Sequence, residues 1–314
     1  MLSNVPPIGH VSGAVVPRQQ APTTIQHEPN ATSPFAPSRD ATRRPRVEVW
    51  DQSSGTEQAL TGVQISNTGD ATIAAAYANA VKVDEFFRST FGRNGLDNQG
   101  MPIRIVVHAP NTDGTPNMNN AYWDNLPNRI YLGDGDGEVF QPLGGALDVM
   151  THEAVHAIVD FEVGMRYGDN IQGGINESFA DVIASIADPD DWLIGEDIYT
   201  PNTPGDGVRD LAHPRFGNVA DIPANAVMAA HEFSGVPSLA AVHVANAIGR
   251  SEMGQVWYSA LVDHLDPRAG YAGVARATLD AAAAIYGATS SQVGAVRDAW
   301  KTVGVEPRWG AAKA

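Results

Sequence analysis

Two histidines lie four residues apart in the mainly apolar segment Leu147-Asp148-Val149-Met150-Thr151-His152-Glu153-Ala154-Val155-His156-Ala157-Ile158. Residues four apart share one face of a helix, so His152 and His156 can direct both imidazoles at one cation, with Glu153 beside them. The segment is too apolar for a surface helix, so its polar groups must be paired or bound to metal. We therefore predict a zinc site with its own general base. The alternative is an amphipathic helix whose His and Glu lie on a solvated face.

A third ligand is needed, because a catalytic zinc site takes three protein ligands and leaves a fourth position for water. The segment Gly173-Gly174-Ile175-Asn176-Glu177-Ser178-Phe179-Ala180-Asp181 indicates the start of a second helix. Glu177 is the best candidate for the third ligand. Asp181 follows one turn later on the same face, where its carboxylate can accept the other N–H of a ligating imidazole.

From about residue 46 to its end the chain resembles the thermolysin family of zinc metallopeptidases. Besides the His-Glu-x-x-His motif, five blocks carry the resemblance in order: Asn119–Trp123, Gly133–Gly137, Asp148, Asn176-Glu177 and Ile194–Tyr199. The resemblance implies a two-lobed α+β fold with the active-site cleft between the lobes. We expect a β-rich N-terminal lobe over residues 46–150 and a mainly α-helical C-terminal lobe over residues 151–314.

The hydrophobic periodicity of the chain agrees with two such lobes. The N-terminal part predicts strands at 46–50, 102–108 and 128–132 and a helix at 70–91. After Gly144 the pattern is helical, with helices predicted at 145–167, 174–187, about 223–248, 252–264, 271–286 and 289–303. Ser290 and Ser291 can cap the last of these, and Gly304 is placed to end it.

The resemblance also implies catalytic roles. Glu153 would activate the zinc-bound water that attacks the scissile carbonyl, while zinc is held by His152, His156 and Glu177. Tyr167 and His231 match the tyrosine and histidine that donate hydrogen bonds to the developing oxyanion. The implied reaction is hydrolysis of peptide bonds on the N-terminal side of bulky apolar residues.

The surroundings of His231 depart from the family pattern. Val227-Met228-Ala229-Ala230 stands where the family commonly has Asp-Asn-Gly-Gly, and Phe233 stands where it has asparagine. Asp221 is the candidate to orient the imidazole in place of the usual carboxylate. A histidine with a purely structural role is the alternative.

Other matched positions imply a peptide-binding cleft. Asn120 and Ala121 match edge-strand residues that hydrogen-bond the substrate backbone. Arg209 matches an arginine that binds a substrate carbonyl. The residues that match the walls of the specificity pocket are all apolar, and each of them could instead be plain core: Phe140, Leu143, Val149, Ile194, Ile198 and Val208.

A calcium site is implied by four acidic positions, which are Asp148, Asp188, Asp191 and Glu196. Carboxylate oxygens from several segments suit a cation that takes six to eight oxygen ligands. We expect one calcium ion, because Leu193 replaces a carboxylate that a double site would need. The alternative is a solvated acidic loop.

Composition limits the partners of the chain. Its 314 residues carry 36 acidic and 20 basic side chains and no cysteine, giving a formal charge of −16. Nucleic acid and anionic membranes are therefore poor partners, and disulfides and thiolate ligands are excluded.

We expect a monomer that acts on polypeptide substrates and is secreted. No ordinary signal peptide is visible at the N-terminus, so export would use another route, and cytoplasmic retention is the alternative.

The first 45 residues have a different composition, rich in proline and lacking a sustained apolar period. The motif Val5-Pro6-Pro7-Ile8 is similar to one in the pro-segment of the shorter, protealysin-like members of the family. We predict that residues 1–45 are a pro-segment removed near Arg43-Arg44-Pro45-Arg46, which would make the protein a zymogen. A disordered tail is the alternative.

Three functional hypotheses follow from the sequence. The first is an active zinc endopeptidase. The second is a metal-binding family member with weak peptidase activity that acts as an interaction protein, which the altered surroundings of His231 suggest. The third is a calcium-dependent binding module built on Gly133-Asp134-Gly135-Asp136-Gly137, which lacks the full acidic loop of an EF-hand.

Overall fold

A computed structural model of the chain describes residues 46–224 and 228–307. The predicted pro-segment, residues 1–45, lies outside the described residues. Within the described ranges, none of the helices combines the length and apolar character needed to span a membrane.

The N-terminal part is built on a five-stranded mixed sheet. Its strands are β1 (Val47–Asp51), β2 (Gln58–Ala59), β3 (Ile103–Val107), β4 (Ala121–Asp124) and β5 (Arg129–Leu132), in the order β2-β1-β3-β5-β4. The central strands β1, β3 and β5 are parallel, whereas β2 and β4 pair antiparallel at the two edges. Alternate side chains such as Val49, Ile105 and Ile130 are buried in the main core.

A long helix packs against the central strands of this sheet. The short α1 (Gly62–Ser66) precedes α2 (Ala71–Phe91), which begins where Asp70 accepts hydrogen bonds from the backbone N–H groups of Thr72 and Ile73. It ends at Gly92, whose φ of 65° is a left-handed conformation that favours glycine. The helix contributes Ala76, Ala80, Val83 and Phe87 to the core.

The C-terminal part is mainly helical and begins with two helices that pack against each other, α3 (Leu147–Glu162) and α4 (Ile171–Ala187). Helix α3 also contacts α2 and β4, so it joins the sheet to the helical part. The remaining elements are β6 (Leu193–Ile194), β7 (Arg209–Asp210), a 3-10 turn (Val219–Asp221), α5 (Ala230–Phe233), α6 (Gly235–Ile248), α7 (Arg250–Ser259), a π-helical turn (Ala260–His264), α8 (Tyr271–Tyr286) and α9 (Ser291–Thr302). The predicted lobe boundary at residue 150 falls inside α3, and that division stays a prediction.

Several predicted helix boundaries were wrong for local reasons. The helix predicted at 145–167 ends at Glu162, because Gly164 turns the chain with a φ of 64°. The helix predicted to begin near 223 is two helices, α5 and α6, and neither begins before Ala230. Helix α4 begins at Ile171 rather than 174, where Asn170 caps it by accepting from Gly173 N–H. The Ser290 cap of α9 is confirmed, since its side chain accepts from Val293 N–H.

A histidine ties three elements of the N-terminal part together. His108 follows β3 with a left-handed φ of 56°. Its Nδ1 lies 2.9 Å from Asp134 Oδ1 after β5, and its Nε2 lies 3.2 Å from Asp70 Oδ2 at the start of α2. The hydrogen bond to Asp134 raises the pKa of His108 above its ordinary value of 6.5, against the opposing effect of burial.

We expect His108→Asn to remove a pH-dependent part of the stability; asparagine tolerates the left-handed backbone. Because the pKa of His108 is raised in the folded state, the imidazolium stabilises the fold fully below about pH 6.5, and this contribution is lost as pH rises through the folded-state pKa. The difference in free energy of unfolding between wild type and variant, measured with urea, should therefore shrink on alkalinisation. His213, with an 83% exposed side chain, provides the control variant. A difference that stays constant with pH would contradict the prediction.

Candidate metal centre and active-site cleft

The three predicted zinc ligands converge. His152 and His156 lie on α3, Glu177 lies on α4, and one ligand atom from each falls within 4.8 Å of the others. His152 Nε2 is 3.3 Å from Glu177 Oε2, and His156 Nε2 is 3.6 Å from Glu177 Oε1. All three side chains are fully buried. The structure thus brings the two helical motifs to one point, as the sequence predicts.

Both imidazoles are oriented by groups on α4. His152 Nδ1 lies 2.8 Å from Asp181 Oδ1, the contact that the sequence predicts for Asp181. His156 Nδ1 lies 2.8 Å from Asn176 Oδ1. This role of Asn176 was not predicted from the sequence. Its position directly before the predicted ligand Glu177 is the one sequence feature that could have indicated it. An acceptor oxygen thus lies 2.8 Å from each Nδ1, and both Nε2 atoms face the carboxylate of Glu177.

The donor set fits zinc. Two imidazole nitrogens and one carboxylate oxygen are typical ligands of catalytic zinc, and ligands about 2.0–2.1 Å from a tetrahedral ion lie roughly 3.4 Å from one another. The observed separations of 3.3 and 3.6 Å agree with that spacing. His152 Nε2 is buried and makes no well-formed hydrogen bond. Such atoms cost free energy in a protein interior unless a cation or a donor satisfies them.

Glu153 lies next to the first ligand and is itself fully buried. Burial raises the pKa of its carboxyl group from 4.5 to about 7, although the nearby His152 opposes the shift. A general base works best when its pKa lies near the working pH. The position and the raised pKa of Glu153 therefore suit proton transfer near neutrality.

Tyr167 and His231 both reach the metal centre. The Tyr167 hydroxyl donates to Glu177 Oε1 at 2.5 Å, and His231 Nε2 lies 3.0 Å from Glu177 Oε2. The two groups approach Glu177 from different segments, one after α3 and the other on α5. Asp221, the predicted partner of His231, is exposed at the end of a short 3-10 turn, and its contact with His231 stays a prediction.

Arg209 is tied to the same centre through Asp181. Its Nε and one terminal nitrogen each donate to an oxygen of the Asp181 carboxylate, both at 2.7 Å. Burial opposes ionisation of Asp181, yet Arg209 and His152 lower its pKa to about 2. The carboxylate is therefore charged, and it links a predicted zinc ligand to Arg209, for which the family resemblance implies a role in substrate binding.

A cavity of about 320 Å³ adjoins the metal centre. Its walls are β7 with the loop that follows, and α5 with the start of α6; Arg209 and His231 line it where it meets the metal centre. An ion pair between Arg215 and Glu232 joins these two walls. Of the predicted pocket residues, Val208 lines this cavity, whereas the others are buried in the main core: Phe140, Leu143, Val149, Ile194 and Ile198.

The predicted substrate-binding strand lies at an edge of the sheet. Ala121 begins β4, the outermost strand, and Asn120 directly precedes it. Trp123 on this strand donates from Nε1 to Asp160 Oδ2 on α3 at 2.7 Å, which holds the strand against the zinc-ligand helix. An edge strand in this place can pair with an extended peptide.

The Gly133–Gly137 motif has structural partners. Asp134 bonds to His108, and Asp136 accepts from the backbone N–H groups of Glu138 and Val139 and from the side chain of Asn119. A side chain at Gly135 would lie 2.2 Å from the carbonyl oxygen of Phe140, so the glycine permits a close backbone approach. These contacts assign the motif to loop structure and do not support the third hypothesis, a calcium-binding module.

Among the four predicted calcium ligands, Asp148 is buried and Asp188 and Glu196 are half-buried, and burial and nearby carboxylates raise the pKa values of all three. Burial raises the pKa of Asp148 to about 6 and that of Glu196 to about 7, and the neighbouring carboxylates add to both shifts. Burial and Asp197 likewise raise the pKa of Asp188. Asp191 is exposed and accepts from Leu193 N–H.

Comparison with known proteins agrees with this geometry. A model described as "Thermolysin metallopeptidase, catalytic domain" matches residues 35–160, and one described as "Thermolysin metallopeptidase, alpha-helical domain" matches residues 164–305. The structure is similar to the precursor of protealysin, a metalloproteinase from Serratia proteamaculans, with a TM-score of 0.74 and 28% identity over 83% of this chain and 88% of that one.

Curated relatives extend the similarity along most of the chain. The bacillolysin of Brevibacillus brevis is 34% identical over 85% of this chain and 53% of its own length. An extracellular elastase of Staphylococcus epidermidis is 32% identical over 90% of this chain and 57% of its own length. The chain thus spans about half the length of these relatives. Because the two family models together cover residues 35–160 and 164–305, this chain belongs to the thermolysin family of metallopeptidases.

Proposed function

We propose that the chain is a zinc endopeptidase in which Glu153 is the general base. The convergence of His152, His156 and Glu177 beside that buried carboxylate carries the proposal. The proposal is also supported by the similarity of the chain to two relatives that are named bacillolysin and extracellular elastase.

The chemistry follows from the groups around the centre. A zinc ion held by His152, His156 and Glu177 would supply Lewis acidity to the reacting carbonyl and to water. Glu153 accepts a proton from the attacking water at its carboxylate and then delivers it to the nitrogen of the leaving amine. Tyr167 and His231 donate hydrogen bonds where negative charge develops on the carbonyl oxygen.

The substrate would bind as an extended chain beside β4. Asn120 and Ala121 pair with its backbone, and Arg209, held by Asp181, binds a carbonyl group. We assign specificity to an apolar pocket that takes the residue just after the cleaved bond, with Val208 at its accessible side and the other predicted wall residues forming its base. A bulky apolar residue is therefore preferred there.

One calcium ion at Asp148, Asp188, Asp191 and Glu196 belongs to the same proposal. The raised pKa values of Asp148 and Glu196 support it, because carboxylates that are partly or fully withdrawn from water and repel one another are stabilised by a divalent cation. Calcium added to chelated protein should then raise its unfolding temperature, and Asp148→Asn should weaken that response.

Secretion and synthesis as a zymogen also remain proposals. Similarity to an extracellular elastase supports secretion, and similarity to a precursor of protealysin supports synthesis as a zymogen. N-terminal sequencing of the active enzyme decides whether residues 1–45 are removed. A mature protein that still begins near Met1 would rule removal out.

Metal analysis and cleavage mapping on an unstructured protein substrate test the proposed function. We expect one zinc per chain and cleavage sites that precede bulky apolar residues, with activity lost on chelation and restored by zinc. Zinc binding without cleavage would instead favour the alternative function, a metal-binding interaction protein.

A further inference from the structure

His231 lies on a helix of a single turn, α5, which spans Ala230–Phe233. So short a helix has little stability of its own, since helix formation becomes favourable only over longer segments. Its placement must therefore come from the groups around it. The Asp169 carboxylate accepts from Ala230 N–H at 3.2 Å, and the Ser234 hydroxyl donates to the His231 carbonyl at 2.8 Å.

A tyrosine from a distant helix completes the C-terminal end of this turn. The carbonyl of Phe233 would normally accept from the N–H four residues later, but that residue is Pro237, which has no N–H. The hydroxyl of Tyr271, at the start of α8, donates to this carbonyl instead at 2.8 Å, and the bond is buried. Tyr271 thereby replaces the missing helical donor.

A glycine on the zinc-ligand helix allows α5 to approach closely. A Cβ atom at Gly174 would lie 2.3 Å from Phe233 Cβ, 2.7 Å from the Phe233 carbonyl carbon and 3.0 Å from the Ala230 carbonyl oxygen. Two of these contacts are with backbone, so a side chain at this position would push α5 away. Gly174 lies three residues before Glu177, the ligand that His231 contacts at 3.0 Å.

We propose that Tyr271 and Gly174 are positioning residues for His231: the hydroxyl of Tyr271 anchors the end of α5, and the bare backbone at Gly174 lets α5 seat the imidazole against Glu177. The expected effects on kcat rest on the proposed function, peptide hydrolysis. The proposal explains how His231 keeps its place although Phe233 and the residues before His231 depart from the family pattern.

The first test compares matched variants of the zinc-loaded enzyme. Tyr271→Phe removes one hydroxyl and should lower kcat about fivefold, and Gly174→Ala should lower it by about 10- to 100-fold, because small misplacements of a catalytic group are costly. The KM value and the zinc content should change little. Tyr286→Phe, on the same helix, and Gly294→Ala, where a Cβ has open space, are the controls that should match wild type.

A double-variant cycle separates positioning from general destabilisation. In a His231→Phe background, Tyr271→Phe and Gly174→Ala should cause no further loss of kcat, because the group that they position is already gone. Equal losses with and without His231 would overturn the proposal, as would wild-type kcat in both single variants.

Crystal structures of the two variants keep this test independent of activity. We expect His231 Nε2 to move away from its position 3.0 Å from Glu177 Oε2 in Gly174→Ala, and the end of α5 to shift in Tyr271→Phe. If the wild-type protein cleaves no peptide, the proposed function fails, but the displacement of His231 still decides the positioning. An unmoved imidazole in both variants would overturn it.

Discussion

We expect Glu153→Ala to lower the proposed peptidase turnover by about a thousandfold while the protein keeps its zinc, because the variant lacks the proton acceptor but retains all three metal ligands. Glu153 is fully buried, so bulk water is not expected to replace it efficiently as the proton acceptor. Glu153→Gln should lose nearly as much, because an amide keeps the shape of the side chain but accepts no proton. Steady-state kinetics together with zinc analysis measure both effects.

Glu85→Ala is the control for this experiment, because it removes an exposed glutamate from the surface of α2. It should match wild type in turnover and in zinc content. Retention of most activity in Glu153→Gln would refute the assignment of the base. Loss of zinc from either Glu153 variant would show that the carboxylate holds the metal centre together instead.

The metal ligands could be predicted from the sequence because their signal is local. His152 and His156 are four residues apart on one helix, and Glu177 and Asp181 repeat that spacing on the next. Such spacing fixes a shared face as soon as the segment is helical. The structure adds the crossing of α3 and α4, which brings the two faces together.

Contacts between distant segments were not visible in the sequence. Arg209 meets Asp181 across 28 residues, and Tyr271 meets Phe233 across 38. Hydrophobic periodicity does not identify such pairs, because an arginine or tyrosine in an apolar segment gives no sequence signal for the residue that it contacts. The identity of the pocket residues is ambiguous for a related reason: an apolar side chain has the same pattern whether it lines a cavity, as Val208 does, or fills the core, as Leu143 does.

Helix ends show the same limit on a smaller scale. The spacing of apolar residues predicts α8, and its predicted bounds, 271–286, agree with the structure. The end of α3 at Glu162 depends instead on a single left-handed residue, Gly164, and glycine also occurs inside helices of this chain, as at Gly174. The conformation of a glycine is set by its tertiary surroundings, so the sequence alone leaves it open.

Asp181→Asn should both weaken zinc binding and destabilise the fold. The carboxylate accepts from Arg209 twice at 2.7 Å and lies 2.8 Å from His152 Nδ1, and it is fully buried. Loss of an orienting partner typically weakens metal binding by about 10- to 100-fold. Removing one partner of a buried ion pair leaves the other charge unsatisfied, which costs about 3 kcal/mol of the free energy of unfolding. Zinc titration and urea unfolding of the metal-free protein measure the two effects separately.

A double variant separates the two roles of this carboxylate. Asp181→Asn with Arg209→Met removes both charges, so it should recover much of the lost stability, since a buried pair replaced as a whole is often nearly neutral. Zinc affinity should stay low, because His152 still lacks its carboxylate. Asp210→Asn is the control: that neighbouring carboxylate pairs with the exposed His213 and should change neither quantity. If the double variant regained zinc affinity along with stability, Asp181 would support zinc binding only by stabilising the fold. The assignment of Asp181 as the group that orients His152 would then be wrong.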